Sequence, residues 1–94
     1  MIEFTKVDGR DCGDVKLFAL STCGWCKRAR MYLEDNGVAY RYIYVDRLHG
    51  EAREEALELM RKYDASESYP TIAVGETDCV VGFNRNKLDR MIGV

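Results

Sequence analysis

Apolar and polar positions along the 94-residue chain resolve into a short series of strand-like and helix-like segments. Residues 15–20, Val-Lys-Leu-Phe-Ala-Leu, form an apolar run that stops at Ser21-Thr22, the pattern of a buried strand followed by a turn. From Trp25 onward the apolar positions are Trp25, Cys26, Ala29, Tyr32 and Leu33, the one-sided spacing of an amphipathic helix, and Asn36-Gly37 ends it. Ala39 to Val45 supplies aromatic and β-branched residues at almost every position, as a strand covered on both faces requires. After His49-Gly50, residues Glu51 to Tyr63 place Ala52, Ala56, Leu59, Met60 and Tyr63 on one stripe. Acids come early there and Arg61-Lys62 late, which suits a helix dipole. Thr71 to Val74, a turn at Gly75-Glu76-Thr77-Asp78, and Cys79 to Val81 predict a hairpin. Asn84 then caps a last helix that carries Leu88, Met91 and Ile92.

From residue 15 the order is therefore βαβ followed by αββα. A βαβ unit needs parallel strands joined by a right-handed crossover, and a hairpin adds two strands to the same sheet. The expectation is a three-layer α/β domain, with a four-stranded mixed sheet and helices on both faces. A chain this short cannot divide its apolar surface between two cores, so residues 1–94 are expected to form one domain. Residues 1–14 are an N-terminal extension in which Ile2 to Val7 reads either as an extra edge strand or as part of a loosely attached arm marked by Gly9 and Gly13.

The composition, 47% hydrophobic and 32% charged with a net charge of −2, has no block of either sign and points to neither a nucleic-acid nor a membrane surface. Residues 1–14 alternate apolar with charged residues and lack the apolar core of a signal peptide, so a cytoplasmic protein is expected. Four cysteines in a small chain raise the possibility of a disulfide scaffold. Their spacing argues otherwise, because Cys23 and Cys26 form a close pair while Cys12 and Cys79 stand alone.

Cys23-Gly24-Trp25-Cys26 lies where a strand ends and a helix begins. Unpaired backbone N–H groups at a helix start stabilise an anion, which favours the thiolate of Cys23 and makes it the nucleophile. Cys26, one turn further in and more buried, is placed to attack a mixed disulfide formed by Cys23 and so acts as the resolving thiol. The alternative is that both are small core residues. Zinc would need two more ligands, and Cys12, Cys79 and the single His49 offer none at close spacing, so no metal site is expected. Lys27, Arg28 and Arg30 read first as a solvated helix face, with Lys27 near enough in sequence to add positive potential at Cys23.

The chain has one proline, Pro70, in a Tyr-Pro-Thr segment just before the predicted hairpin. A CxxC helix start followed by this segment resembles the thioredoxin superfamily, and within it the glutaredoxins, over residues 15–92. The resemblance implies a thioredoxin-like fold and a cis Tyr69–Pro70 bond packed beside the cysteine pair. It also implies that Tyr69 and Pro70 border the substrate groove together with the segment Gly82-Phe83-Asn84; a simple strand-to-helix turn is the alternative for the latter. Thr22, Gly24, Trp25 and Lys27 join this substrate-binding set through their place around the pair. Trp25 is expected to be exposed as an apolar contact for a partner, with packing against the core as the alternative.

Glutathione-using glutaredoxins usually carry a lysine three residues before the first cysteine, a Thr-Val-Pro segment, and a double glycine followed by acidic or polar residues. This sequence has Leu20, Ser68-Tyr69-Pro70 and Val81-Gly82-Phe83 in those places and is more similar to NrdH-type redoxins. The resemblance then implies a monomeric reductant of protein disulfides, served by a flavin-containing or ferredoxin-dependent reductase, with glutathione disfavoured. No tightly bound cofactor is expected beyond a redox-active Cys23–Cys26 disulfide. Because Gly24 stands where many relatives have proline, a [2Fe–2S] carrier or sensor bridging two subunits is the alternative class of function. Tyr40, Tyr42 and Tyr44 recur with a strand's period and read as packing. Cys79 is expected in the core, with regulatory oxidation or pairing with Cys12 as the alternative.

Overall fold

A computed structural model of the protein describes residues 2–63, 68–76 and 78–93. The elements run β1 (Thr5–Val7), β2 (Val15–Ala19), α1 (Gly24–Asp35), β3 (Tyr40–Tyr44), a 3-10 turn (Val45–Arg47), α2 (Gly50–Arg61), β4 (Thr71–Val74), β5 (Asp78–Val81) and α3 (Arg85–Ile92). The sheet has five strands in the order β1-β3-β2-β4-β5. The expected four-stranded sheet is thus extended by one edge strand. Within the Ile2–Val7 segment only Thr5–Val7 forms it, paired antiparallel to β3 with Thr5 opposite Tyr42.

The remaining pairings are parallel for β2 with β3 and antiparallel for β2 with β4 and β4 with β5. That is the βαβ crossover plus hairpin expected from the order of elements. The predicted boundaries shift slightly: Leu20 and Val45 lie outside their strands, Tyr63 outside α2, and Asp78 inside β5. Of the predicted hairpin turn, Thr77 lies outside the described residues, as does Met1 of the N-terminal extension.

Strand alternation divides the core between two faces. Val15, Leu17 and Ala19 point to one side, where they pack with Ala29 and Leu33 of α1 and Leu88 and Ile92 of α3. Phe18 points to the other, packing with Ile43 and Ala73 of the sheet and Ala56 and Met60 of α2. Phe4 covers this second cluster from outside, its ring edge-on to Phe18 at 5.8 Å. The segment after β1 is held rather than loose. Arg10 N donates to Gly37 O at 2.6 Å and Ala39 N to Arg10 O at 2.9 Å. Gly9 approaches the backbone there so closely that a β-carbon would sit 2.5 Å from Gly37 O, which explains a glycine at this position.

The ends of the helices follow local chemistry. The Asn84 side chain accepts from Lys87 N at 3.1 Å and starts α3, and the left-handed Gly93 closes it. The Tyr32 hydroxyl of α1 donates to Asp89 of α3, tying together the two helices that cover the cysteine-bearing face of the sheet.

Candidate active site

β2 is buried at all five residues, and the chain leaves it through Leu20, Ser21 and Thr22 into the start of α1. Cys23 caps that helix in an extended conformation (φ −86°, ψ 116°). The Cys26 backbone N–H donates to its sulfur at 3.2 Å. A sulfur at this position receives the positive end of the helix and a directed N–H, both of which stabilise negative charge more than a neutral thiol. Cys23 is half-buried and Cys26 is 1% exposed, and both thiols are free.

The two sulfurs therefore differ in access. Burial pushes the Cys26 thiol up to about 12; the hydrogen bond with Cys23 and the charge of Cys23 add to the rise, and the Leu20 backbone opposes it. At neutral pH Cys26 stays protonated and sheltered behind Cys23.

The loop leading to Cys23 is fixed from β3's end. Ser21 donates to Asp46 through both its backbone N–H, at 2.9 Å, and its hydroxyl. These bonds, the hydroxyl's first, hold the Asp46 carboxyl below the usual range. Nothing in the sequence marked the pair, because its partners lie 25 residues apart and meet only after β2 and β3 have aligned.

Two hollows lie around the start of α1. One, of about 220 Å³, is lined by Trp25, Tyr69, Pro70, Gly82 and Phe83, so five of the residues singled out in the sequence come together. The Tyr69–Pro70 bond is cis, Pro70 is buried, and Gly82 N donates to Pro70 O at 2.7 Å. Trp25 is 59% exposed, with its ring 6.3 Å from that of Phe83; it lies outside the core. Gly82 has φ 77° with open space around it, so its backbone conformation is what calls for glycine.

The second hollow, of about 290 Å³, opens at Cys23 and is lined by Leu20, Ser21, Lys27, Arg30, Met31, Glu34 and Tyr44. Thr22 is exposed on the connecting loop and Lys27 is exposed on α1; neither lines the Trp25–Pro70 hollow.

Arg30 departs from the solvated face expected of it. Its guanidinium lies 3.9 Å from the Tyr42 ring centre, and it donates to the hydroxyls of Tyr40 at 3.1 Å and Tyr44 at 2.9 Å. The tyrosine ladder of β3 supplies this cradle, which the every-second-residue pattern showed only as packing. Cys79, expected in the core, is half-buried on edge strand β5, and its thiol donates to Tyr63 O at 3.0 Å.

A three-layer α/β domain with two free thiols at a helix start, and a cis-proline sharing a hollow with the Trp25 that stands between them, defines a redox protein of the thioredoxin-like class. The comparisons with known proteins narrow this. A family model described as glutaredoxin matches residues 15–78, and the chain belongs to the glutaredoxin family. It is 30% identical over 78 residues to a glutaredoxin-like 8.6 kDa protein of the rubredoxin operon of Clostridium pasteurianum, covering 83% of this chain and 96% of that protein. The crystal structure of the glutaredoxin from Methanosarcina mazei superposes with a TM-score of 0.90 at 40% identity, covering 97% of this chain and 88% of the other. Methanoredoxin from Methanosarcina acetivorans matches with a TM-score of 0.88 at 32% identity, covering 92% and 90%. Among the described residues no helix is long and apolar enough to cross a membrane.

Proposed function

We propose that the protein is a dithiol reductant of protein disulfides, with Cys23 as nucleophile and Cys26 as resolving thiol. The observation that carries this reading is the asymmetry of the pair. The Cys23 sulfur accepts the Cys26 N–H at 3.2 Å at the helix start, while the Cys26 thiol behind it is 1% exposed.

The Cys23 thiolate attacks one sulfur of the partner's disulfide; that S–S bond breaks, a mixed disulfide forms, and the other partner sulfur leaves as a thiolate that takes up a proton. Cys26 then loses its proton and attacks the Cys23 sulfur, expelling the second partner thiol. Two electrons pass to the partner, which ends as a dithiol, and Cys23–Cys26 is left as a disulfide. An external dithiol or a flavin-containing or ferredoxin-dependent reductase returns it to the reduced form.

Two features favour a protein disulfide over glutathione. Leu20, apolar, lines the hollow at Cys23 where glutathione-using glutaredoxins usually have lysine. The Trp25–Phe83 hollow offers an aromatic, largely apolar surface suited to a polypeptide. Reduction of insulin and of a glutathione mixed disulfide, compared for wild type, Cys23→Ser and Cys26→Ser, tests the proposal. Wild type is expected to prefer insulin, Cys23→Ser to be inactive on both, and Cys26→Ser to lose insulin reduction while trapping a partner. Full activity in Cys23→Ser would remove the mechanism; a preference for the glutathione adduct would overturn the choice of substrate.

A further inference from the structure

One surface next to the cysteine pair has no part in the exchange chemistry. A groove of about 620 Å³ runs along α1 from Gly24 to Asn36, with Phe83 and Arg85 on its far side. Its lining joins Met31, which is 52% exposed, to Lys27, Arg28 and Arg85. Asp35 is the one carboxylate of that lining, so three cations against one anion leave +2, on a chain whose net charge is −2. Among the described residues none of the three cations is ion-paired; Arg28 rests on the Trp25 ring at 5.3 Å.

Exposed large apolar side chains beside unpaired like charges cost solubility and self-repulsion, and an anionic, partly apolar occupant relieves both. The groove also begins where the chemistry ends. Gly24 follows Cys23, and Phe83 lines both this groove and the Trp25–Pro70 hollow. With 12 residues in α1 it is roughly 18 Å long. An extended segment of about five residues spans that length.

We propose that this groove docks an acidic segment, carrying one apolar anchor, of the protein whose disulfide Cys23 attacks. The inference rests on the dithiol reading above and names the class of partner it serves. Charge selects the segment and speeds encounter, Met31 and Phe83 take the anchor, and the disulfide is delivered to the sulfur at the groove's upper end.

The test uses the intact reduced protein in single turnover, followed by the fluorescence of Trp25, the only tryptophan. The probes are two oxidised peptides of about ten residues with the same disulfide and one leucine, differing only in glutamates against glutamines. Rates are read as the acidic-to-neutral ratio, so that a uniform loss in a variant cancels. Wild type is expected to favour the acidic peptide by about tenfold at low salt, and the advantage to vanish near 1 M salt. Arg85→Glu, tolerated at the first turn of α3 because a carboxylate suits a helix start, lowers the ratio by about tenfold, and Arg85→Gln falls between.

A wild-type ratio near one, or a ratio unmoved by Arg85→Glu, would overturn the docking site and leave the dithiol chemistry standing. Failure of both peptides to oxidise the pair would overturn the dithiol reading and this inference with it. Dimerisation lost in Arg85→Glu would give the groove to a second copy, and a small anionic disulfide favoured as strongly as the acidic peptide would make it a charge sensor; either result overturns the proposal.

Discussion

Alkylation of Cys23 and Cys26 tests their inequality most simply. Burial carries the Cys26 thiol from its ordinary 9.0 up to about 12. At about pH 8 a free thiol of that kind is roughly one-tenth ionised, while the folded Cys26 is ionised to only ~10⁻⁴. Iodoacetamide reacts with thiolates, so Cys26 in the native protein is expected to alkylate about a thousandfold more slowly than in denaturant. Mass spectrometry of quenched time points reads both cysteines at once, and the native adduct is expected on Cys23 first.

The same geometry supports the resolving role proposed for so reluctant a thiol. Two of the influences that raise Cys26 come from Cys23, its hydrogen bond and its charge. Both end when Cys23 enters a mixed disulfide, so Cys26 becomes easier to ionise at the moment it must attack. Protein carrying a small disulfide adduct on Cys23 is therefore expected to lose that group to Cys26 faster than native Cys26 is alkylated. Native alkylation of Cys26 within tenfold of the denatured rate, or before Cys23, would refute the reasoning.

Three other outcomes follow from the packing. Arg30→Ala leaves the Tyr40 and Tyr44 hydroxyls without their charged donor and uncovers Tyr42; it is expected to cost about 2 kcal/mol in urea unfolding. Arg30→Lys should recover less than half of that, because an ammonium neither stacks flat nor forks, and a loss under about 0.5 kcal/mol for the alanine would deny the cradle a structural role. Gly82→Ala meets no neighbouring atom but must hold φ 77°, so a loss of about 1 kcal/mol with the domain still folded is expected; an unchanged midpoint would contradict it. Stability should also fall in alkali: burial raises Cys26 from 9.0, and Tyr32 and Tyr40 from 10.0, each to about 12. The folded state holds these protons more tightly than the unfolded chain. The contribution is therefore complete below about pH 9 and is lost as pH rises toward 12. Urea midpoints that stayed level to about pH 11.5 would contradict that assignment.

What the sequence disclosed is whatever a local pattern can encode. The apolar run at 15–20, the helical spacing from Cys26 to Leu33 and the hairpin around Gly75 each require only neighbours along the chain, and each became an element at nearly the expected place. Cys23 and Cys26 stood out for the same reason, since their spacing and the strand-to-helix junction lie within a dozen residues. The rest depends on contacts across the fold. The Ser21–Asp46 bonds form only once parallel β2 and β3 are in register, with Ala19 beside Tyr44. Arg30 reads as one more charge on a helix until α1 lies over the β3 tyrosines. Thr5–Val7 becomes a strand because β3 offers an open edge, not because three residues insist on it. Phe83 and Arg85 meet α1 only through the return of the chain after β5, so the groove they complete has no linear signature.

In the proposed exchange one particular sulfur, that of Cys23, forms the bond to the partner. Mixing reduced Cys26→Ser protein with an oxidised protein disulfide, quenching in acid and locating the mixed disulfide by peptide mass spectrometry tests it directly. The partner is expected on Cys23 alone in this variant, and wild type under the same conditions is expected to yield the internal Cys23–Cys26 disulfide with the partner released. A partner bound mainly to Cys12 or Cys79 of the variant, or wild type that accumulates no internal disulfide, would contradict the account.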